Sequence, residues 1–282
     1  MANDSLGTCR DSAGVPSGTV TFYDGATALG TGSVNSSGQA TLSTSSLTAG
    51  SHSITASYAG NSNFASSTSA ALTQTVNKAN TTTAISTQSP NPSVAGQPVA
   101  VNFTVTPVAP GSGTPTGNVT VSDGLGDACT ATPAAGGCSL VFATAGAKTV
   151  KASYAGDGDF NASTSAGVTH NVTDFSISAS PTSQTIKAGQ KTNYKLTLTP
   201  LNGFGGTISL FCTGLPSGST CSFASASITL SGSSSTSSAV TVQTSKSTAK
   251  GTYNLTFTGI YGSGSASTGG LTHSANVMLT VQ

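Results

Sequence analysis

The chain has 282 residues, a length that allows two or three domains, each able to bury a core of its own. Only 6 % of it is charged, with a net charge of +1 and nine scattered Lys and Arg, so no basic stripe exists to neutralise phosphates and nucleic acid is not an expected partner. No run approaches the roughly 18 apolar residues of a membrane-spanning helix, and residues 1–17 lack the apolar centre of a secretory signal, so any export signal is expected outside this sequence.

Ser and Thr together number 94, so solubility has to rest on hydroxyls, amides and backbone. Folding is nevertheless expected, because Val, Ile, Leu, Phe and Tyr recur in short alternating runs bounded by Gly, Pro, Asn and Ser. No segment carries a 3.6-residue period, and almost no helix is expected.

From the N-terminus, residues 1–17 do not alternate. The run Pro16-Ser17-Gly18-Thr19-Val20-Thr21-Phe22-Tyr23-Asp24-Gly25 then returns as Pro115-Thr116-Gly117-Asn118-Val119-Thr120-Val121-Ser122-Asp123-Gly124, an offset of 99. Further on, Ala56-Ser57-Tyr58-Ala59-Gly60 with Phe64 returns as Ala152-Ser153-Tyr154-Ala155-Gly156 with Phe160, an offset of 96. Two homologous units follow, over 1–78 and 79–173, with a three-residue change between the landmarks. In the second copy strands are expected near 81–87, 98–108, 117–122, 128–132, 137–143, 147–155 and 167–173. Seven short strands in about 95 residues make a β-sandwich. The dipeptides Asp24-Gly25, Asp123-Gly124 and Asp157-Gly158 supply the turns.

A third unit, 174–282, keeps the same alternation in Tyr194–Thr199, Thr207–Phe211 and Tyr253–Phe257, and closes on a last strand over Ala275–Val281. The low-complexity stretch Ser231–Ser238 reads as a surface loop or a sheet edge.

The segments Gly18–Gly25, Gly50–Gly60 and Tyr154–Phe160 resemble the bacterial immunoglobulin-like (Ig-like) repeat family of large surface and secreted proteins. The third unit, with Asn202-Gly203-Phe204-Gly205-Gly206 and Cys212-Thr213-Gly214-Leu215-Pro216-Ser217-Gly218, is similar to a related Ig-like module. The resemblance implies an all-β chain of tandem Ig-like β-sandwiches, extracellular or on the cell surface, in a structural, adhesive or spacer role. Such repeats serve adhesins, stalks and non-catalytic parts of secreted enzymes alike, and the fold does not choose among them.

Aligned on the offset, the second copy places two strands in 81–108, where the first has only 17 residues before Gly18. The first sandwich is therefore expected to lack its two N-terminal strands, leaving Val20, Phe22, Ile54 and Tyr58 on an open face. Two readings stand: a piece of a longer repeat array, or a fibre subunit whose domain is completed by a strand from a neighbouring molecule. The expected partners are thus neighbouring copies or upstream repeats, with surface glycans or proteins as further ligands.

Cys129 and Cys138 are nine apart, as are Cys212 and Cys221. The first copy lacks both equivalents of the first pair, which favours a disulfide there, and Cys212–Cys221 brackets a loop of the right length for a second. Both point to an oxidising compartment. Cys9 has no partner in the chain, and is either incidental or intermolecular.

Titratable groups are sparse: eight Asp, no Glu and three His. His52, His170 and His273 sit singly in strand-like runs and read as structural or solvent-facing. No G-x-S-x-G elbow, phosphate loop or zinc spacing occurs, so no enzyme and no resident cofactor are expected. Asp24 approaching Asp157 and Asp159, and Asp123 and Asp127 approaching Asp174, would give Ca²⁺ oxygen ligands at domain junctions, although turn chemistry explains most of these residues. An internal isopeptide link needs a buried acid beside Lys, and no Asp lies in a core-like run. Sugar recognition would fall to exposed aromatics such as Tyr23 or Tyr261, in a chain without Trp.

Overall fold

The computed structural model describes residues 14–282, together with the backbone of 2–3 and 9–10. Among the described residues the regular structure is β, apart from two single 3₁₀ turns at Pro133–Ala135 and Ala266–Thr268. It divides into two compact units: Met1–Thr81 with the loops Pro107–Pro115 and Gly156–Asn161, and the remainder.

In the first unit, β1 (Ala2–Asn3) and β2 (Cys9–Arg10) pair with each other. A separate antiparallel sheet is built from β3 (Thr19–Asp24), β4 (Thr27–Ser33), β5 (Gly50–Tyr58), β6 (Ser67–Thr68) and β7 (Leu72–Val76). Its order is β4-β3-β5, and β6 and β7 share the far edge of β5. Ser69 sits in the gap between those two edge segments, where its hydroxyl accepts the Ala56 N–H and donates to the Ala70 carbonyl. Residues 34–49 hold no strand. The expectation that the first domain lacks its two N-terminal strands falls partly outside the described residues.

The second unit contains β8 (Thr81–Ser89), β9 (Ser93–Val94), β10 (Pro98–Pro107), β11 (Val119–Ser122), β12 (Ala128–Ala131), β13 (Gly137–Val141), β14 (Gly146–Tyr154), β15 (Ser163–Thr164) and β16 (Val168–Ser180). It continues with β17 (Ser183–Ile186), β18 (Lys191–Leu201), β19 (Gly205–Thr213), β20 (Thr220–Phe223), β21 (Ser227–Ser231), β22 (Thr236–Gln243), β23 (Gly251–Tyr261) and β24 (Leu271–Val281). Three sheets result: β13-β10-β8, a nine-stranded sheet with the path β12-β11-β14-β16-β18-β22-β20, and β17-β24-β23-β19-β21.

The nine-stranded sheet serves two sandwiches, because β16 belongs to both. Its first half pairs with β14, from Val172 opposite Gly146 to Val168 opposite Val150. Its second half pairs with β18, from Asp174 opposite Leu201 to Ser180 opposite Lys195. The burial phase changes along it: His170 and Val172 are buried, Thr173 and Asp174 are both half-buried, and Phe175 is buried. Two consecutive half-buried residues restart the period-two alternation, so one strand faces a core in each half.

The first of these cores holds Val99, Val101, Phe103, Val119, Val121, Leu140, Phe142, Val150 and Tyr154, each no more than 2 % exposed. The second is built on Phe175, Tyr194, Leu196, Leu198, Ile208, Leu230, Val240, Val242, Leu255 and Phe257. Inward residues alternate with outward Ser, Thr, Asn and Lys along every long strand, as a two-layer β-fold demands.

The Ser-rich stretch 231–238 follows its sequence reading: Ser231 ends β21 at the edge of the five-stranded sheet, 232–235 form a loop, and Thr236–Ser238 open β22 where it pairs with β18, the ladder to β20 starting at Val240. Ser238 is 3 % exposed, and its hydroxyl donates to the Ser225 carbonyl and accepts the Ser225 N–H, standing in for a backbone group.

Because β16 is common to both sandwiches, they are expected to unfold together. Leu196→Ala, in the second core, should cost about 2–5 kcal/mol and lower amide protection in β14 as well as β18. Hydrogen exchange through a urea series measures both, and two separate midpoints would contradict the coupling.

Candidate functional site

In the first unit β3 and β5 pair with Val20 opposite Tyr58, Phe22 opposite Ala56 and Asp24 opposite Ile54. Residues directly opposite share a face, so Val20, Phe22, Ile54 and Tyr58 form one apolar surface. β7 extends it, with Leu72 opposite Ile54 and Val76 opposite Gly50. Val20, Phe22, Ile54, Tyr58 and Val76 are half-buried, and Leu72 is 67 % exposed.

The internal repeat supplies a control for these values. The equivalents of Val20, Phe22, Ile54 and Tyr58 in the second copy are Val119, Val121, Val150 and Tyr154, and all are at most 2 % exposed. There β8, β10 and β13 form the opposing sheet, with Val99, Val101, Phe103 and Leu140 buried. None of the apolar side chains on β3, β4, β5 or β7 is buried. Leu72 and Val76 were absent from the sequence reading; only the offset of 96, which sets Val76 on Val172, points to them.

A polar device closes one end of the face. His52 Nδ1 lies 2.7 Å from Asp24 Oδ2, and His52 Nε2–H donates to the Thr48 carbonyl at 2.8 Å. Both partners accept, so the doubly protonated ring satisfies both, and the pKa of His52 is raised, chiefly by Asp24. Asp24 is lowered in turn by the His52 hydrogen bond. The second copy repeats the device with other residues: Lys148 Nζ donates to Thr144 Oγ1 at 3.0 Å and lies 3.6 Å from Asp123 Oδ2.

That pair corrects the expectation of no buried acid. The Asp123 side chain is fully buried and that of Lys148 is 7 % exposed. Asp123 lies in a turn rather than an apolar run, but its Oδ1 accepts the N–H groups of Leu125 and Asp127, which draws the carboxylate under the loop.

His170 is completely buried, stacked on Phe142 with ring centroids 4.7 Å apart. It holds Ser93 Oγ at 2.9 Å and Gln88 Oε1 at 2.8 Å. Gln88 Oε1 can only accept, so Nδ1 carries the proton and Nε2 accepts from Ser93. Burial lowers the pKa of this neutral ring. His273 Nε2 lies 2.7 Å from Asp174 Oδ1, with its ring edge-on to Phe175.

The Asp residues considered for Ca²⁺ are engaged elsewhere. Asp157 Oδ1 accepts the N–H groups of Asp159 and Phe160, Asp159 Oδ1 accepts Ala49 N–H, and Asp127 Oδ2 accepts Ala143 N–H. Among the described residues no three His, Cys, Asp or Glu side chains converge on a common point. No helix among them is long and apolar enough to cross a membrane. Tyr261 packs edge-on against Phe204 at 5.0 Å and Tyr23 is half-buried.

Cys129 and Cys138 form a disulfide that ties β12 of the nine-stranded sheet to β13 of the three-stranded one. Cys212 and Cys221, expected as a second bond, stand as half-buried free thiols. The Cys9 side chain lies outside the described residues.

Sandwiches with a shared strand, an A′-type segment β9 running parallel to β16, and polar outer faces define tandem Ig-like domains. The chain belongs to the bacterial Ig-like domain (group 3) family, whose model matches residues 6–77 and 86–173, more than half of its length. No curated protein matches it. Among solved structures it is similar to the D00-D0 domain of intimin, at 13 % identity over 70 % of this chain and 99 % of that one, with a TM-score of 0.35. It is similar also to the C-terminal domain of the Streptococcus agalactiae AgI/II polypeptide BspA, at 11 % identity over 71 % and 99 %, TM-score 0.37. The N-terminal eight Ig domains of Down Syndrome Cell Adhesion Molecule match at 13 % identity over 95 % of this chain and 34 % of that one, TM-score 0.43.

His170 and His52 make opposite demands on pH. His170 titrates near 6.5 when unfolded and lower when folded, so below that value the unfolded state binds a proton the native state refuses. Its contribution is lost as pH falls. His52 has the reverse sign: its contribution is present below the unfolded pKa and fades as pH rises through the folded one. The urea midpoint of the second unit should therefore drop between pH 7 and 5, and His170→Gln should flatten that dependence; an equally steep profile in the variant would refute the assignment.

Proposed function

We propose that this chain is a non-catalytic spacer of a bacterial surface or secreted protein, with three Ig-like segments over 1–78, 79–173 and 174–282. The observation that carries this reading is β16, whose 13 residues are the last strand of one sandwich and the first of the next. A linker of loop residues would let two domains swing independently. A shared strand with ladder bonds on both halves holds them as one body, which suits a part that sets distance. The family itself is at home in structural and adhesive proteins, and Asp24, Asp123 and Asp174 are paired with His52, Lys148 and His273. Protease treatment of intact producing cells should remove this segment before any cytoplasmic marker; protection until lysis would overturn the reading.

A second reading adds assembly, and it rests on the half-exposed face of Val20, Phe22, Ile54, Tyr58, Leu72 and Val76. Its occupant is an extended segment with the pattern of β8 and β10, supplied by a second copy of this chain, because those strands face the equivalent surface in the homologous domain. Addition from one copy to the next is heterologous and generates a fibre. A synthetic peptide covering residues 79–108, added to the full chain, should slow amide exchange in β3 and β5 and leave β18 unchanged. A monodisperse monomer at high concentration that ignores the peptide would exclude this assembly while leaving the spacer role intact.

A further inference from the structure

The chain changes sheets between β19 and β20, and the six residues 214–219 make the change. β19 lies in the five-stranded sheet, with Cys212 opposite Phe257, and β20 lies in the nine-stranded sheet, with Cys221 opposite Val242. Between them runs Gly214-Leu215-Pro216-Ser217-Gly218, in which Gly214 has φ +78°. A side chain there would collide with the Asn254 carbonyl of β23, so only glycine lets the turn lie this close to the sheet it leaves. Ser219 N–H donates to the Pro216 carbonyl and tightens the return.

This crossover brings the two half-buried thiols of Cys212 and Cys221 together, the second donating a hydrogen bond to the first. Beside them stands Tyr194, whose hydroxyl donates to the Met278 carbonyl and whose ring packs against Phe257. The other sandwich offers a direct precedent: Cys129 and Cys138, with the same separation of nine, already join its two opposed sheets at a crossover.

We propose that Cys212 and Cys221 are the reduced halves of a second inter-sheet disulfide, closed after the fold has formed by exchange with a small-molecule disulfide. The Cys212 thiolate attacks one sulfur of the oxidant, forming a mixed disulfide and releasing one small thiolate. The Cys221 thiolate then attacks Cys212 sulfur, forming the internal bond and expelling the second. Two protein thiols are oxidised to one disulfide, and one small disulfide is reduced to two thiols, with both protons passing to solvent or to the departing thiolates. The order follows from the contact, since the hydrogen bond from Cys221 holds the Cys212 thiol below its usual pKa while raising that of Cys221. The bond would tie β19 to β20 at the edge where no ladder hydrogen bond connects their sheets.

The test uses the full folded chain, incubated with oxidised or reduced glutathione, alkylated, and digested with trypsin. No Lys or Arg lies between Leu196 and Lys246, so both cysteines fall in one peptide. After oxidation that peptide should carry no alkyl group and be lighter by two hydrogens, and after reduction it should carry two. Oxidation should also raise the melting midpoint of wild type by about 5 °C and leave Cys212→Ser/Cys221→Ser unmoved. Two labelled thiols after oxidation, a product arrested at the mixed disulfide, or a bond between molecules would each overturn the proposal, as would an internal bond with no rise in midpoint.

Discussion

A sheet with one apolar face is stable in water only when a second layer covers that face, and this requirement governs everything else in the chain. Burying a large apolar side chain contributes about 1.5–3 kcal/mol, while ordering each strand residue costs about 1–2 kcal/mol of backbone entropy. In the second copy the layer from β8, β10 and β13 takes Val119, Val121, Val150 and Tyr154 out of solvent. In the first copy the same sequence positions stay half-exposed, and residues 34–49, which contain the equivalent of β13, form no strand.

Local polar devices behave differently, because they need no second sheet. Asp24, His52 and Thr48 stand in the first copy where Asp123, Lys148 and Thr144 stand in the second. Asn61 Oδ1 accepts the N–H groups of Asn63 and Phe64, as Asp157 Oδ1 accepts those of Asp159 and Phe160. Ser69 fills its edge-strand gap as Ser165 does, accepting Ala152 N–H and donating to the Ala166 carbonyl. The base changes from Lys to His, yet its place between a strand-end carboxylate and a Thr four residues earlier persists. Register in each sheet is thus pinned by turns and caps, whereas burial is decided by what packs above.

The legible part of the fold was the part with period two. Alternation located every long strand of the second copy, and the repeat offsets set Val20, Phe22, Ile54 and Tyr58 on Val119, Val121, Val150 and Tyr154. Three features escaped for physical reasons. Ser93–Val94 is too short to alternate, and its parallel pairing with β16 depends on a partner far along the chain. The continuity of β16 across Thr173 and Asp174 was hidden because the shift of burial phase looks like a break between strands. Asp123 was hidden because hydrogen bonds to its own loop, not hydrophobicity, bury it. The exposed Leu72 was legible only by its alignment on Val168, itself 37 % exposed, so no core pattern marked it.

With charge nearly absent, the outer faces are finished in neutral hydroxyls that satisfy one another across strands. Thr207 and Thr229 meet at 2.8 Å, Thr258 and Ser274 at 2.9 Å, Thr256 and Asn276 at 2.9 Å, and Thr199 and Ser235 at 2.9 Å. Each such pair contributes about 0.2–1 kcal/mol, and β-branched Thr suits the pleated surface. Surface ion pairs would weaken with ionic strength, but hydroxyl ladders do not. The outer faces are therefore held through contacts that screening cannot reach, and the few carboxylates remain free to fix turns.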